Sequence, residues 1–114
     1  MRIDVDEREG VAVVRPASER VDLQVAGRFR AALLQLIDAG QRRVVVDMGA
    51  VQLVDSSGLG ALVSALKTIK LVKGDGDLRL ANVQPPVVAL LEIIRLNRVF
   101  ASYPSVEQAV HSFP

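Results

Sequence analysis

The chain has 114 residues, half of them apolar and about a quarter charged, with a formal net charge of +1 and no cysteine. This is the composition of one soluble globular domain with a single core, and the near-neutral balance argues against nucleic acid, whose binders carry a concentrated basic surplus. The absence of cysteine removes disulfides, thiolate nucleophiles and thiolate metal sites, and no apolar run approaches the roughly 18 to 20 residues that span a bilayer. The opening MRIDVDEREG lacks the charged and apolar regions of a secretory signal, so a cytoplasmic location is expected.

Ile3, Val5, Val11, Val13 and Val14 lie in short β-branched runs separated by EREG, which predicts an N-terminal hairpin closed by Pro16 and Ser18. From Asp22, a candidate N-cap, the residues Val25, Phe29, Leu33, Leu36 and Ile37 recur at helical spacing up to Gly40, which suits a left-handed helix end. The continuous run RVVVDM (43–48) reads as a central strand buried on both faces. A linker GAVQLV and the turn DSSGLG lead into a second helix, unambiguous from Leu59 onward through Leu62, Val63, Leu66 and Ile69. After a KGDGD turn, DLRLANV predicts a strand. Pro85 and Pro86 suit the opening of a helix, where a missing N–H costs nothing, with Val87, Leu91 and Ile94 on its inner face. LNRVFASYP is expected to form a last short strand and PSVEQAVHSF a last helix. The order β-β-α-β-α-β-α-β-α predicts a single α/β domain over residues 1–114: a mixed, mostly parallel sheet with an N-terminal antiparallel hairpin, packed against four helices.

In such sheets the loops leaving the carboxyl ends of the strands carry function, and DSSGLG lies in one of them. One explanation is purely structural: Asp55 or Ser56 caps the helix and the glycines allow the turn. That explanation leaves the cost of Gly58 and Gly60 in a first helical turn, up to about 1 kcal/mol each, without a return. Glycine is suited to places where another group must come close, so the turn is expected to be a contact surface. A serine at a helix N-terminus also suits an added phosphate, because free N–H groups and the positive dipole end favour an anion. Such a phosphate would carry a charge of about −1.5 to −2 into any docked apolar surface, with repulsion from Asp55 beside it.

The stretch VVVDMGAVQLVDSSGLGALVSALKTIK resembles the signature of bacterial anti-sigma factor antagonists, the single-domain members of the STAS family. VDLQVAGRFRAAL, LRLANVQPPVVALLEIIRLNRVF and SVEQAV extend the resemblance over nearly the whole chain. The resemblance implies the STAS fold and a switch. The unphosphorylated protein binds an anti-sigma factor that is also a GHKL-type serine kinase and so frees the sigma factor; phosphorylation of the serine after the motif's aspartate ends binding, and a serine phosphatase resets it. Carried onto this chain, the phosphorylated residue is Ser56, and the contact surface comprises Asp22, Asp55, Ser56, Ser57, Gly58, Leu59 and Gly60. Where the family commonly has Gly-x-Leu-Asp, this chain has Ser18-Glu19-Arg20-Val21-Asp22; where it has Ser-Gly-Leu, this chain has Arg95-Leu96-Asn97. Both departures lie outside the serine turn and bear on the identity of the partner.

Other candidates read as structural. Asp22 is as suited to capping as to contact, and Asn82 to satisfying a turn. GDGDL lacks the run of oxygen ligands of a calcium loop, and its lone GxG is too little for a nucleotide site. His111 has no partner that sequence identifies, and Arg42 with Arg43 suits a solvated loop. Of Leu53, Val54 and Leu59, at least two are expected in the core, with any remainder forming an apolar patch. No nucleophile with a base, metal cluster or cofactor cradle is visible, so the chain reads as a regulated binding module without cofactor, monomeric or weakly dimeric alone, and not an enzyme. The alternative is a non-catalytic accessory or scaffold subunit of a stress-signalling assembly or a membrane transporter.

Overall fold

The computed structural model describes residues 2–114. Strand β1 (Arg2–Arg8) pairs antiparallel with β2 (Val11–Ala17), from Arg2 opposite Ala17 to Arg8 opposite Val11. Only Glu9 and Gly10 form the turn, both at positive φ (52° and 80°), the geometry that matches the twist of two hairpin strands. Pro16 lies inside β2 and does not close the hairpin. It is tolerated because β2 pairs with its other neighbour only through Ala12, Val13 and Val14, so the missing N–H falls beyond that ladder.

The remaining strands of the main sheet are parallel: β4 (Arg43–Asp47), β6 (Asp77–Ala81) and β7 (Ser102–Tyr103), in the order β1-β2-β4-β6-β7. The Val44-Val45-Val46 run is the middle of that order and is buried on both faces, as its unbroken β-branched character requires. Val44 and Val46 point to a core shared with helices α1 (Leu23–Asp38), α2 (Ser56–Lys73) and α3 (Pro85–Ile93), which supply Phe29, Leu33, Ile37, Leu62, Leu66, Ile69, Val87 and Leu91. Val45 points to the other face, where Ala109 and Val110 of α4 (Val106–His111) cover Val11, Val13 and Ala81. Three helices therefore cover one face and one short helix the other. Among the described residues, no helix is long and apolar enough to cross a membrane.

Helix α2 begins at Ser56 with Asp55 as its cap, so the serine turn is the helix's first turn, as expected. Other local expectations are corrected. Ile94 is exposed and follows the end of α3, which closes at Arg95 in a left-handed conformation (φ 63°). Leu96–Arg98 forms a 3-10 turn and not a strand, leaving only Ser102 and Tyr103 paired with β6. Two elements that the sequence does not reveal are β3 (Arg20–Val21) and β5 (Leu53–Val54), which pair in parallel as a separate two-residue ribbon.

Phe29 is fully buried and Ile93 is largely exposed. Phe29→Ala should cost about 3–5 kcal/mol of stability in equilibrium denaturation, and Ile93→Ala should stay within about 0.5 kcal/mol of the parent.

Candidate functional site

The ribbon of β3 and β5 delivers two helix starts side by side. Asp22 follows β3 and caps α1, its carboxylate accepting the Gln24 N–H at 3.1 Å. Asp55 follows β5 and caps α2: its Oδ1 accepts the Gly58 N–H at 3.0 Å. Its other oxygen reaches across the ribbon, and Oδ2 accepts the Leu23 N–H of α1 at 3.0 Å. One carboxylate therefore satisfies donors at the N-termini of two helices, where the dipoles also favour its charge.

Of the residues expected at this surface, Asp22 and Asp55 are half-buried caps, Ser56 and Gly60 are exposed, Ser57 and Leu59 are half-buried and Gly58 is buried. Leu59 packs against the core. Because Asp55 supplies the cap, the Ser56 side chain stands at the first helical position without that duty. Gly58 has a different reason from the one its sequence context suggests. A Cβ there would lie 2.2 Å from the Val21 carbonyl oxygen and 2.8 Å from the Val54 side chain. The group that comes close to Gly58 is the chain's own β3. A Cβ at Gly60 would meet nothing within 4 Å, so only Gly60 is open to approach from outside.

Two exposed apolar residues belong to the same ribbon and helix starts. Leu23, at the first position of α1, is 77% exposed, and Leu53 of β5 is 50% exposed. Val54 is buried, so two of the three apolar residues weighed with the turn pack inward and Leu53 alone faces out. Leu23 was not singled out by sequence reading, although it falls off the Val25, Phe29, Leu33 stripe of α1, which is a usable signal.

A buried polar group also goes unmarked in the sequence. Asp47, only 6% exposed at the end of β4, accepts the Gly49 N–H at 3.0 Å and the Asn82 side-chain amide at 3.1 Å, with Arg15 at 3.5 Å. It ties the loop after β4 to the loop after β6, where Asn82 is left-handed at φ 56°. Asn82 thus serves a turn, as expected. In the GDGD turn, Asp75 pairs with Arg42, whose hydrogen bond holds that carboxyl below its ordinary range, and Asp77 pairs with Arg79 and Lys70. Both carboxylates are engaged in ion pairs. His111 is a surface residue, but it does have a carboxylate partner, Glu9, at 2.7 Å.

A mixed sheet whose carboxyl end presents two jointly capped helix starts, with an exposed serine on one and a bare leucine on the other, defines a small α/β domain of a recognisable kind. The STAS domain matches residues 2–109, and the chain belongs to that family. It is 32% identical over 107 residues to the anti-sigma F factor antagonist of Paenibacillus polymyxa, covering 90% of this chain and 86% of that one. The structure of an anti-sigma-factor antagonist (STAS) domain protein from Planctomyces limnophilus superposes with a TM-score of 0.84 at 26% identity, over 96% of this chain and 95% of that one. The phosphorylated form of the Bacillus cell fate determinant SpoIIAA shares the fold, with a TM-score of 0.73 at 18% identity over 97% and 98% of the two chains.

The two glycines of the turn should respond oppositely to the same substitution. Gly58→Ala forces a Cβ onto a backbone carbonyl and should lower stability by about 1–3 kcal/mol or more. Gly60→Ala has room and should raise stability by up to about 1 kcal/mol, both read by chemical denaturation.

Proposed function

We propose that the chain is an anti-sigma factor antagonist: unphosphorylated, it binds an anti-sigma factor that is also a GHKL-type serine kinase and so frees the sigma factor, and phosphorylation at Ser56 ends the binding. In that reaction the Ser56 Oγ attacks the γ-phosphorus of ATP, the bond to the β-phosphate oxygen breaks, ADP leaves and the hydroxyl proton is lost. A serine phosphatase hydrolyses the ester and restores binding. The contact surface comprises Asp22, Asp55, Ser56, Ser57, Leu59 and Gly60, with Gly58 shaping it from beneath.

The observation that carries this reading is the exposed Ser56 at the first position of a helix whose cap is filled by Asp55. The relatives named anti-sigma factor antagonists support it. Ser56 is exposed, so a phosphate there leaves the domain folded, yet it adds about −1.5 to −2 of charge to the end of the domain at which Leu23 and Leu53 are exposed. An apolar partner surface docked on those leucines would have to desolvate that charge. A penalty of about 2.7 kcal/mol suffices for a hundredfold loss of affinity.

A catalytic role for the Asp55 and Ser56 pair is disfavoured by the same geometry. Each Asp55 oxygen already accepts a backbone N–H, so neither is left to serve Ser56 as a base.

In a titration against the cognate anti-sigma kinase, Ser56→Ala should bind like the parent and resist phosphorylation. Ser56→Asp should bind roughly a hundredfold more weakly, and Ser57→Ala should stay close to the parent. Tight binding by Ser56→Asp would contradict the switch.

A further inference from the structure

We propose that the outer edge of β1 is an interaction surface for a second copy of this chain, the two copies pairing β1 to β1 in antiparallel fashion and joining their sheets into one. The surface contains no residue of the serine turn, so it stands independently of any modification at Ser56.

β1 is an end strand of the sheet, and its pairing with β2 decides which backbone groups it offers outward. The two-residue turn of Glu9 and Gly10 makes Arg8 and Val11 a hydrogen-bonded pair. Pairs then alternate, so Asp6, Asp4 and Arg2 also bond to β2, while Ile3, Val5 and Glu7 turn their N–H and C=O groups away from it. Pro16 fits this pattern, because it stands opposite Ile3, where no N–H is required between the strands. The outward Glu7 N–H is taken by the Asp6 carboxylate at 2.9 Å. Ile3 and Val5 are left as the pairing edge. Such an edge is commonly guarded by lysine, proline or a bulge, and β1 has none of these.

Its charges instead complement a second copy in one register. With Ile3 opposite Val5 of the second copy about a two-fold axis, both residues exchange their outward backbone bonds. On the face that carries three helices, the row across the junction reads Pro16, Ile3, Val5, Val14, so Val5, 52% exposed in the single chain, gains apolar neighbours. On the other face Arg2 of each copy stands against Asp6 of the other. Asp4 meets Asp4 of the second copy, but each is paired with Arg2 of its own strand at 3.1 Å and lies opposite Arg15 of β2. Sliding the copies by two residues one way sets Arg2 against Arg8 and Asp4 against Asp6. Sliding them the other way carries Val5 past the start of the opposing β1. Charge therefore selects the register, and backbone bonds with an apolar row hold it. The contact is small, so the dimer is weak and depends on concentration.

Sedimentation velocity of the full chain, over a concentration series reaching on the order of 1 mM, should show a monomer–dimer equilibrium. Arg2→Asp and Asp6→Arg each set like charges at both Arg2–Asp6 contacts, and each alone should dimerise roughly tenfold or more weakly. Mixed in equal amounts, these two variants restore opposite charges at both contacts and should form a heterodimer close to the parent in affinity. Val5→Pro removes an N–H that faces away from β2, so the circular dichroism spectrum should be kept while the dimer is lost. A parent chain that is monomeric throughout the series, leaving the edge to a strand of a different protein, would overturn the proposal. So would a mixture that dimerises no better than either charge variant alone.

Discussion

The end of the domain that carries Ser56 depends on a single carboxylate that accepts from two N–H donors. Helix starts carry N–H groups with no partner in their own helix, and satisfying them by side chain is ordinary. Asp55 does so for two helices at once, taking Gly58 N–H with one oxygen and Leu23 N–H with the other. The geometry is possible because β3 and β5 bring the two starts together, and because Gly58 lets the Val21 carbonyl press against α2. An alanine at either Asp55 or Gly58 would attack the same junction from different sides, one by removing the acceptor and the other by wedging it apart.

The sheet explains why the junction sits where it does. Parallel strands joined by crossover helices release their chains at one end, and the loops after β4 and β6 are held there by Asp47 and Asn82. Three helices on one face of the sheet leave the starts of α1 and α2 adjacent, over a core to which the serine turn contributes Leu59 but in which Ser56 has no part. Ser56 can therefore gain a charged group without unfolding the domain. That separation between a stable core and a chemically adjustable edge is what a modification switch requires, and the anti-sigma-factor antagonist (STAS) domain protein of Planctomyces limnophilus shares the architecture.

Much of the fold was legible because the large elements carry strong periodicity. The stripe from Val25 to Ile37, the VVV run and the α2 pattern from Leu59 each bury a long apolar face, and burial leaves a repeat in sequence. Asp22 and Asp55 were legible as cap residues from their type and position. The rest was written in contacts between distant residues. Two-residue strands such as β3 and β5 have no period to detect, and the Leu23 to Asp55 bond joins positions 32 residues apart. Gly58 and Gly60 look alike in sequence, yet one is buried against a carbonyl and the other is open, a difference that only the fold creates. The run LNRVFASYP is apolar enough for a strand, but most of it folds into a 3-10 turn and loop that bury Phe100 instead. Asp47 was missed because a charged residue closing an apolar strand looks like a strand end, and only the fold puts Gly49, Asn82 and Arg15 around it.

The central claim, that Ser56 is the residue on which this domain is switched, is tested most directly by phosphosite mapping of the intact protein recovered from its native cells under several growth conditions. The account predicts one phosphate, on Ser56, whose occupancy changes with condition. A protein unmodified in every condition, or modified elsewhere with Ser56 untouched, would contradict it and favour a constitutive binding subunit of the same fold.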